Sequence, residues 1–205
     1  MQTIQETYQS SFRKKGSKFI GFLFPAASPE VFDQRLAGIK SDYPDATHHC
    51  YGWRIGPSDP EEFAQDDGEP SGTAGLPILN QLKSAEIVNG GCVVVRYYGG
   101  TNLGKPGLIQ AYGDAARRCL SQAVLMQLIP TCNFRISYGY SQQKQIDQLK
   151  NSFDLKELEA EYLEDITLDV ACRAEQAPAL AEALQRLAHL NIEAEELGTD
   201  FLIMK

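Results

Sequence analysis

Residues 91–100 read Gly-Cys-Val-Val-Val-Arg-Tyr-Tyr-Gly-Gly. Four consecutive apolar residues, three of them β-branched, disfavour a helix and leave neither face of a strand fit for water, because side chains alternate from one face to the other. Such a run predicts a central strand covered on both sides, and therefore a sheet flanked by further layers. Its polar end opens into a glycine-bounded loop.

The surrounding chain supplies the rest of that architecture. Residues 18–24, Lys-Phe-Ile-Gly-Phe-Leu-Phe, predict a second buried strand ending at Pro25. Ser28 as cap and Pro29 at the first helical position start a helix, Val31, Phe32, Leu36 and Ile39 give it an apolar face, and Pro44 stops it. From Thr47 to Ile55 the alternation places His49, Tyr51, Trp53 and Ile55 on one face of a strand and His48, Cys50, Gly52 and Arg54 on the other. Residues 56–75 are rich in Gly, Pro, Asp and Ser and predict a loop too polar for a core element. Leu76, Leu79 and Leu82 then begin helical spacing, with Pro77 fitting only the first turn. After Gly107, a stripe of Leu108, Ala111, Ala115, Cys119 and Ala123 predicts a helix lying close against a sheet, and Pro130 closes this half.

Beyond it the pattern is strand, helix, strand, strand, helix, strand, carried by Phe134, Ile136 and Tyr138, then Ile146 and Leu149, Leu158 and Tyr162, Ile166 to Cys172, Leu180 to Leu187, and Ile192 to Ile203. That βαββαβ order predicts a ferredoxin-like sandwich. The chain is thus expected to be α+β, with domains over 1–130 and 131–205.

Charge separates the halves. Residues 1–130 carry 12 Lys/Arg against 13 Asp/Glu, whereas residues 131–205 carry 7 against 14. A polyanion such as RNA can meet the first half and is repelled by the second. Five cysteines, odd in number and without a Cys-x-x-Cys pair, argue against a disulfide framework. The start of the chain has no signal-peptide pattern and no stretch approaches the roughly 18 apolar residues of a membrane span. A reducing, cytoplasmic setting without a membrane is the expectation.

Three pieces concentrate chemistry: residues 47–50 (Thr-His-His-Cys), residues 66–75 (Asp-Asp-Gly-Glu-Pro-Ser-Gly-Thr-Ala-Gly), and residues 96–104, Arg-Tyr-Tyr-Gly-Gly continuing to Leu103-Gly104. Gly72, Thr73, Ala74 and Gly75 open a helix, whose free N–H groups and dipole suit a phosphate or carboxylate; Asp66, Asp67 or Glu69 can equally fill those positions from within. Arg96 stands at the edge of a buried face and needs a carboxylate partner or an external acceptor. Tyr97 and Tyr98 can stack bases or simply pack. His48 can serve as a general base, but Cys50, on its face, reads as inert packing, and no nucleophile is evident. His48 with Asp66 and Asp67 has the ligand types of a metal site and no supporting spacing, so no metal, cofactor or catalytic residue is expected.

The run from His48 to Tyr112 resembles the IMPACT family, including its bacterial YigZ-type members, whose signature is Val-Val-Val-Arg-Tyr-Tyr-Gly-Gly preceded by Asp-Asp-Gly-Glu-Pro-x-Gly-Thr-Ala-Gly-x-Pro; these stand here at 93–100 and 66–77. The resemblance implies an N-terminal domain like the second domain of ribosomal protein S5 and a C-terminal ferredoxin-like domain similar to one in elongation factor G. Its eukaryotic members regulate translation. One departure is the loop Leu103-Gly104-Lys105-Pro106-Gly107-Leu108, where bacterial relatives read Leu-Gly-x-Gly-Gly-Leu, so a proline replaces a permissive glycine and Lys105 adds a cation.

Two functional readings follow. One is a translation-associated binding protein contacting ribosome, RNA or a translation factor through Arg54, Arg96, Lys105, Arg117, Arg118 and the tyrosines, with Gly99 and Gly100 shaping the loop. The other is a small-molecule enzyme or binder of a phosphate-bearing ligand using His48, Asp66, Asp67, Glu69 and Arg96. A third possibility makes the cluster a packing signature, which predicts a buried Arg96 paired to carboxylate.

Overall fold

The computed structural model describes residues 1–203 and divides into two compact units, the first running from Met1 to Leu128 and the second beginning at Ile129. The first unit contains β1 (Gln2–Thr3), β2 (Tyr8–Lys14), β3 (Ser17–Pro25), α1 (Pro29–Asp42), β4 (His48–Ile55), β5 (Glu61–Gln65), α2 (Gly75–Ser84), β6 (Gly90–Tyr97) and α3 (Gly104–Leu120). Its antiparallel sheet has the order β2-β3-β6-β4-β5.

The β-branched run is β6, the middle strand, with Cys92 to Val95 fully buried. One face, with Val93, Val95, Ile20 and Trp53, is covered by Phe32 and Leu36 of α1. The other, with Val94, Phe19 and Cys50, is covered by Ile78 and Leu82 of α2 and by Ala111, Tyr112 and Ala115 of α3. The alternation of β4 is therefore split between two cores, Cys50 on one side and Trp53 and Ile55 on the other. Ser28 caps α1 by accepting from the Val31 N–H at 3.4 Å.

Several local readings change. Residues 56–75 contain β5, an edge strand with exposed Phe63 stacked on Trp53 at 5.7 Å between centroids; an edge strand needs no buried face of its own, so its composition hid it. Residues 8–14 form β2, paired with β3 along its length. Helix α3 starts at Gly104, three residues before the expected stop of the loop, because Pro106 falls in its first turn where no intrahelical N–H is needed.

Strand β7 (Met126–Tyr138) passes straight through Pro130. Gln127 and Met126 pair with β1, and Thr131 to Tyr138 pair with β9 (Ile166–Arg173), so the proline falls between these two ladders and takes a donor from neither; β10 (Glu193–Ile203) pairs with β7 as well. In the second unit β7 is followed by α4 (Gln143–Phe153), β8 (Lys156–Tyr162), β9, α5 (Ala177–Leu187) and β10. The strand order is β10-β7-β9-β8. Ile146 and Leu149 of α4 and Leu180 and Leu184 of α5 cover Phe134, Ile136, Leu168 and Val170. All five cysteines are buried and free. No helix among the described residues is long and apolar enough to cross a membrane.

Candidate functional site

Arg96 leaves β6 on the face that α3 covers, and its side chain is 5% exposed. A guanidinium there must have a counter-charge. Glu69, 4% exposed, supplies it, accepting from Arg96 Nη1 and from the Tyr112 hydroxyl at 2.7 Å on the same oxygen, Oε1. Arg96 Nη2 donates to Ser17 Oγ at 3.3 Å, and the Gly99 N–H donates to that same oxygen at 3.1 Å. The guanidinium carbon lies 5.5 Å from the Phe19 ring centroid and 5.4 Å from that of Tyr98. Arg96 Nε is buried without a partner among the described residues. Burial pushes the Tyr112 hydroxyl well above the usual tyrosine range, with Cys50 and Glu69 adding to the effect, so it remains a donor to Glu69.

His48 approaches the same carboxylate from β4, its Nε2 3.8 Å from Glu69 Oε1. Its Nδ1 is 2.7 Å from the Asp67 carbonyl oxygen, which can only accept, so the proton is assigned to Nδ1 and Nε2 faces Glu69. His49, on the opposite face, has its backbone N–H bound by Asp67 Oδ2 at 2.6 Å, and burial lowers its ring pKa. The two adjacent histidines serve different environments, as the strand alternation requires.

Asp66 organises the 66–75 turn. One of its oxygens accepts from Ala74 and Gly75 N–H at 2.9 Å each, the other from Gly72 N–H at 2.7 Å. The Thr73 N–H is taken by the Pro70 carbonyl at 3.0 Å, and its hydroxyl donates to that carbonyl at 2.6 Å. Of the two occupants open for Gly72 and Thr73, an external phosphate or carboxylate and an internal carboxylate, the structure holds the internal one: all four donors of the turn are satisfied within the chain, with Asp66 at the helix start. Gly75 is required by close approach, since a Cβ there would lie 2.5 Å from the Gln65 nitrogen. Cys50 donates to the Asp66 carbonyl at 3.0 Å and is held far above the usual thiol range by burial, which keeps it protonated and inert.

The remaining expected residues divide between this cluster and the surface. Arg54 belongs to neither: near the far end of β4 it donates to Glu62 at 2.8 Å and to the Ile87 carbonyl at 2.9 Å. Its assignment to the same surface as Arg96 is corrected, because six residues of strand carry it along the sheet away from His48. Arg117 pairs with Asp114, and Arg118 lies 4.8 Å over the Phe12 ring. Tyr97 is half-buried and donates to Asp45 at 3.0 Å, whereas Tyr98 is 47% exposed, with its N–H bound by Thr47 Oγ1 at 3.0 Å. Gly99 presses on the β2–β3 turn so closely that a Cβ would stand 2.0 Å from the Gly16 carbonyl carbon. Gly100 follows at φ +84°, and Lys105 is exposed in the first turn of α3.

Sequence reasoning missed Tyr112 and Ser17. Tyr112 had a signal, a bulky polar residue beside the small-residue stripe of α3; Ser17 had none, because only the pairing of β3 with β6 brings it to Arg96. It also passed over Arg13 and Lys18, which the β2–β3 pairing sets directly opposite one another.

The Impact N-terminal domain family matches residues 15–120, a span that includes every residue of this cluster. The IMPACT family member YigZ of Escherichia coli (strain K12) is 36% identical over 162 residues, covering 78% of this chain and 79% of that protein. The IMPACT family member YvyE of Bacillus subtilis (strain 168) is 30% identical over 196 residues, covering 95% of this chain and 89% of that one. Among solved structures, a crystal structure described as that of a hypothetical protein matches with a TM-score of 0.65 at 29% identity, covering 100% of this chain and 97% of its own.

Proposed function

The chain belongs to the IMPACT family, and on that premise we propose that it is a translation-associated binding protein whose first unit contacts the ribosome, RNA or a translation factor. The observation that carries the reading is the closure of the polar cluster. Glu69 and Arg96 are 4% and 5% exposed, and apart from Arg96 Nε, which has no partner among the described residues, their hydrogen bonds go to Tyr112, Ser17 and each other. Asp66 spends its bonds on the turn. Groups so buried and so engaged are poorly placed to meet a substrate, which favours a scaffold over an enzyme. What the scaffold holds out is the segment from Tyr98 to Lys105, exposed along much of its length and fixed from below by Ser17 and Thr47.

The finer structural assignments are part of the same proposal. The first unit is read as similar to the second domain of ribosomal protein S5. The second is read as ferredoxin-like, which its βαββαβ sequence of elements and β10-β7-β9-β8 order support. Kinship of folds does not by itself assign function; it agrees with the role of eukaryotic family members in regulating translation. Five free cysteines are in keeping with a cytoplasmic location.

The test is co-sedimentation of the full chain with ribosomal subunits from lysate across rising salt, with a Lys105→Ala variant alongside. Association that is released by salt and weakened in the variant is the expected outcome. Absence of the chain from ribosomal fractions at every salt concentration overturns the reading.

A further inference from the structure

Seven of the chain's 19 lysines and arginines are neutralised by neighbours among the described residues. Arg54 and Lys83 share Glu62, Arg96 has Glu69, Arg117 has Asp114, Arg135 has Asp169, Lys150 has Glu157 and Arg186 has Glu182. Arg13 and Lys18 form no ion pair among the described residues, and they are direct cross-strand partners on β2 and β3. Lys18 in turn stands opposite Tyr97 on β6. Paired residues share a face, so Arg13, Lys18 and Tyr97 form one row across three strands, spanning about 10 Å at the usual strand spacing.

Helix α1 ends beside this row at its capping residue, Tyr43. Arg13, Lys18, Tyr43, Tyr97 and Tyr98, with Asp45, line an open depression of about 450 Å³. Two unpaired cations next to Tyr43 and Tyr97 is the composition of a single-strand nucleic-acid surface, in which phosphates meet cations and unstacked bases lie on aromatic faces. The Tyr97 ring is already held by its bond to Asp45 at 3.0 Å, whereas the Tyr98 ring lies over the Arg96 guanidinium on the opposite face of the sheet. Asp45, the carboxylate of the depression, lies on the tyrosine side, which directs a phosphate toward Arg13 and Lys18 and leaves the aromatic side for a base.

We infer that this depression binds single-stranded RNA, with Arg13 and Lys18 contacting phosphate and Tyr43 and Tyr97 contacting an unstacked base. A duplex keeps its bases stacked and paired, and so can use only the cations. The site is carried by the geometry, while the choice of RNA over DNA rests on the translation reading above.

The experiment is fluorescence anisotropy of the full chain with a labelled uridine-rich RNA strand, the same strand paired into duplex, and its DNA counterpart, over a range of salt. The single strand of RNA should bind about tenfold or more tighter than the duplex. Arg13→Gln combined with Lys18→Gln should reduce the slope of log affinity against log salt by about 1.4, two phosphate contacts' worth on a single strand. Tyr97→Ser should weaken single-strand binding roughly tenfold and leave the salt slope unchanged. Unchanged Trp53 emission checks that each variant is folded. No binding, equal binding of duplex, or an unaltered slope in the double variant overturns the site; equal binding of DNA overturns the RNA assignment. Oligonucleotide binding without ribosome co-sedimentation removes the translation reading and leaves this site, whereas co-sedimentation that survives the double variant and Tyr97→Ser does the reverse.

Discussion

The two units keep their charges in opposite places. In the first, an arginine and a glutamate are buried together beneath α3, bonded to Tyr112 and Ser17. In the second, the core of Phe134, Ile136, Ile146, Leu168 and Leu180 is apolar, and each ion pair has a partner exposed by about half or more: Arg135 at 48%, Glu157 at 50%, Arg186 at 73%. A buried pair is a poor source of stability, because desolvating two charges offsets most of their attraction. What it supplies is position. Glu69 comes from a loop and Arg96 from a central strand, so their pairing fixes the 66–75 turn against the sheet and sets Tyr98 above the guanidinium. The second unit, whose core is apolar, has no buried ion pair of this kind among the described residues.

The comparison can be broken most directly at Glu69. Glu69→Ala leaves a buried guanidinium without its counter-charge and is expected to destabilise the first unit by about 3–5 kcal/mol. Urea unfolding followed by the emission of Trp53, the chain's single tryptophan and a residue of the first unit, reads that loss selectively. A midpoint shift worth less than about 1 kcal/mol would mean that the pair is solvated as a surface pair is.

Alkali should separate the units next. Cys50 and Tyr112 are both raised in the folded state by burial, so their contribution is intact below the unfolded values of 9.0 and 10.0 and declines as pH climbs past them, when only the unfolded chain releases the protons. At about pH 10.5 the Trp53 transition should have lost on the order of 2 kcal/mol through Cys50 alone. In the second unit Cys132 is pushed up to about 11, first by burial and then by its bond to Glu196, so its decline ends there. A Cys50→Ala variant that titrates like the parent would refute the assignment.

Asp66→Ala, which removes the acceptor of three backbone donors at the start of α2, is expected to cost about 1–2 kcal/mol by the same Trp53 assay. Asp66→Asn should recover part of the loss, since an amide oxygen still accepts. The smallest effect belongs to Arg135→Gln. Its bond to Asp169 holds that carboxyl below the usual range, yet Arg135 is 48% exposed to water, so less than about 1 kcal/mol should be lost, with the Trp53 transition unmoved.

Much of this was legible in the chain. The β6 run, the Ser28-Pro29 helix start and the split faces of β4 each depend on neighbours in sequence, and local sterics and periodicity suffice to read them. Strand β5 escaped because an edge strand carries no alternation, and the start of α3 because a proline in a first turn resembles one in a loop. The site was legible only as a list. Arg96 had three candidate carboxylates, and the structure divides them by task, Glu69 to the guanidinium, Asp66 to the helix start and Asp67 to the His49 backbone.

Residue order and side-chain chemistry by themselves determined that β6 is a covered central strand, that its arginine needs a partner, and that the second half follows a βαββαβ pattern. Only the tertiary structure decided which partner, because Glu69, Ser17 and Tyr112 lie 27, 79 and 43 residues from the atoms they bond. It alone also set Arg13 and Lys18 beside Tyr97, through strand pairing that no local pattern encodes. The physical reason is one of range: propensity and periodicity act over a few residues, while a buried charge and a surface patch are assembled from whatever the packed sheet brings within a few ångströms.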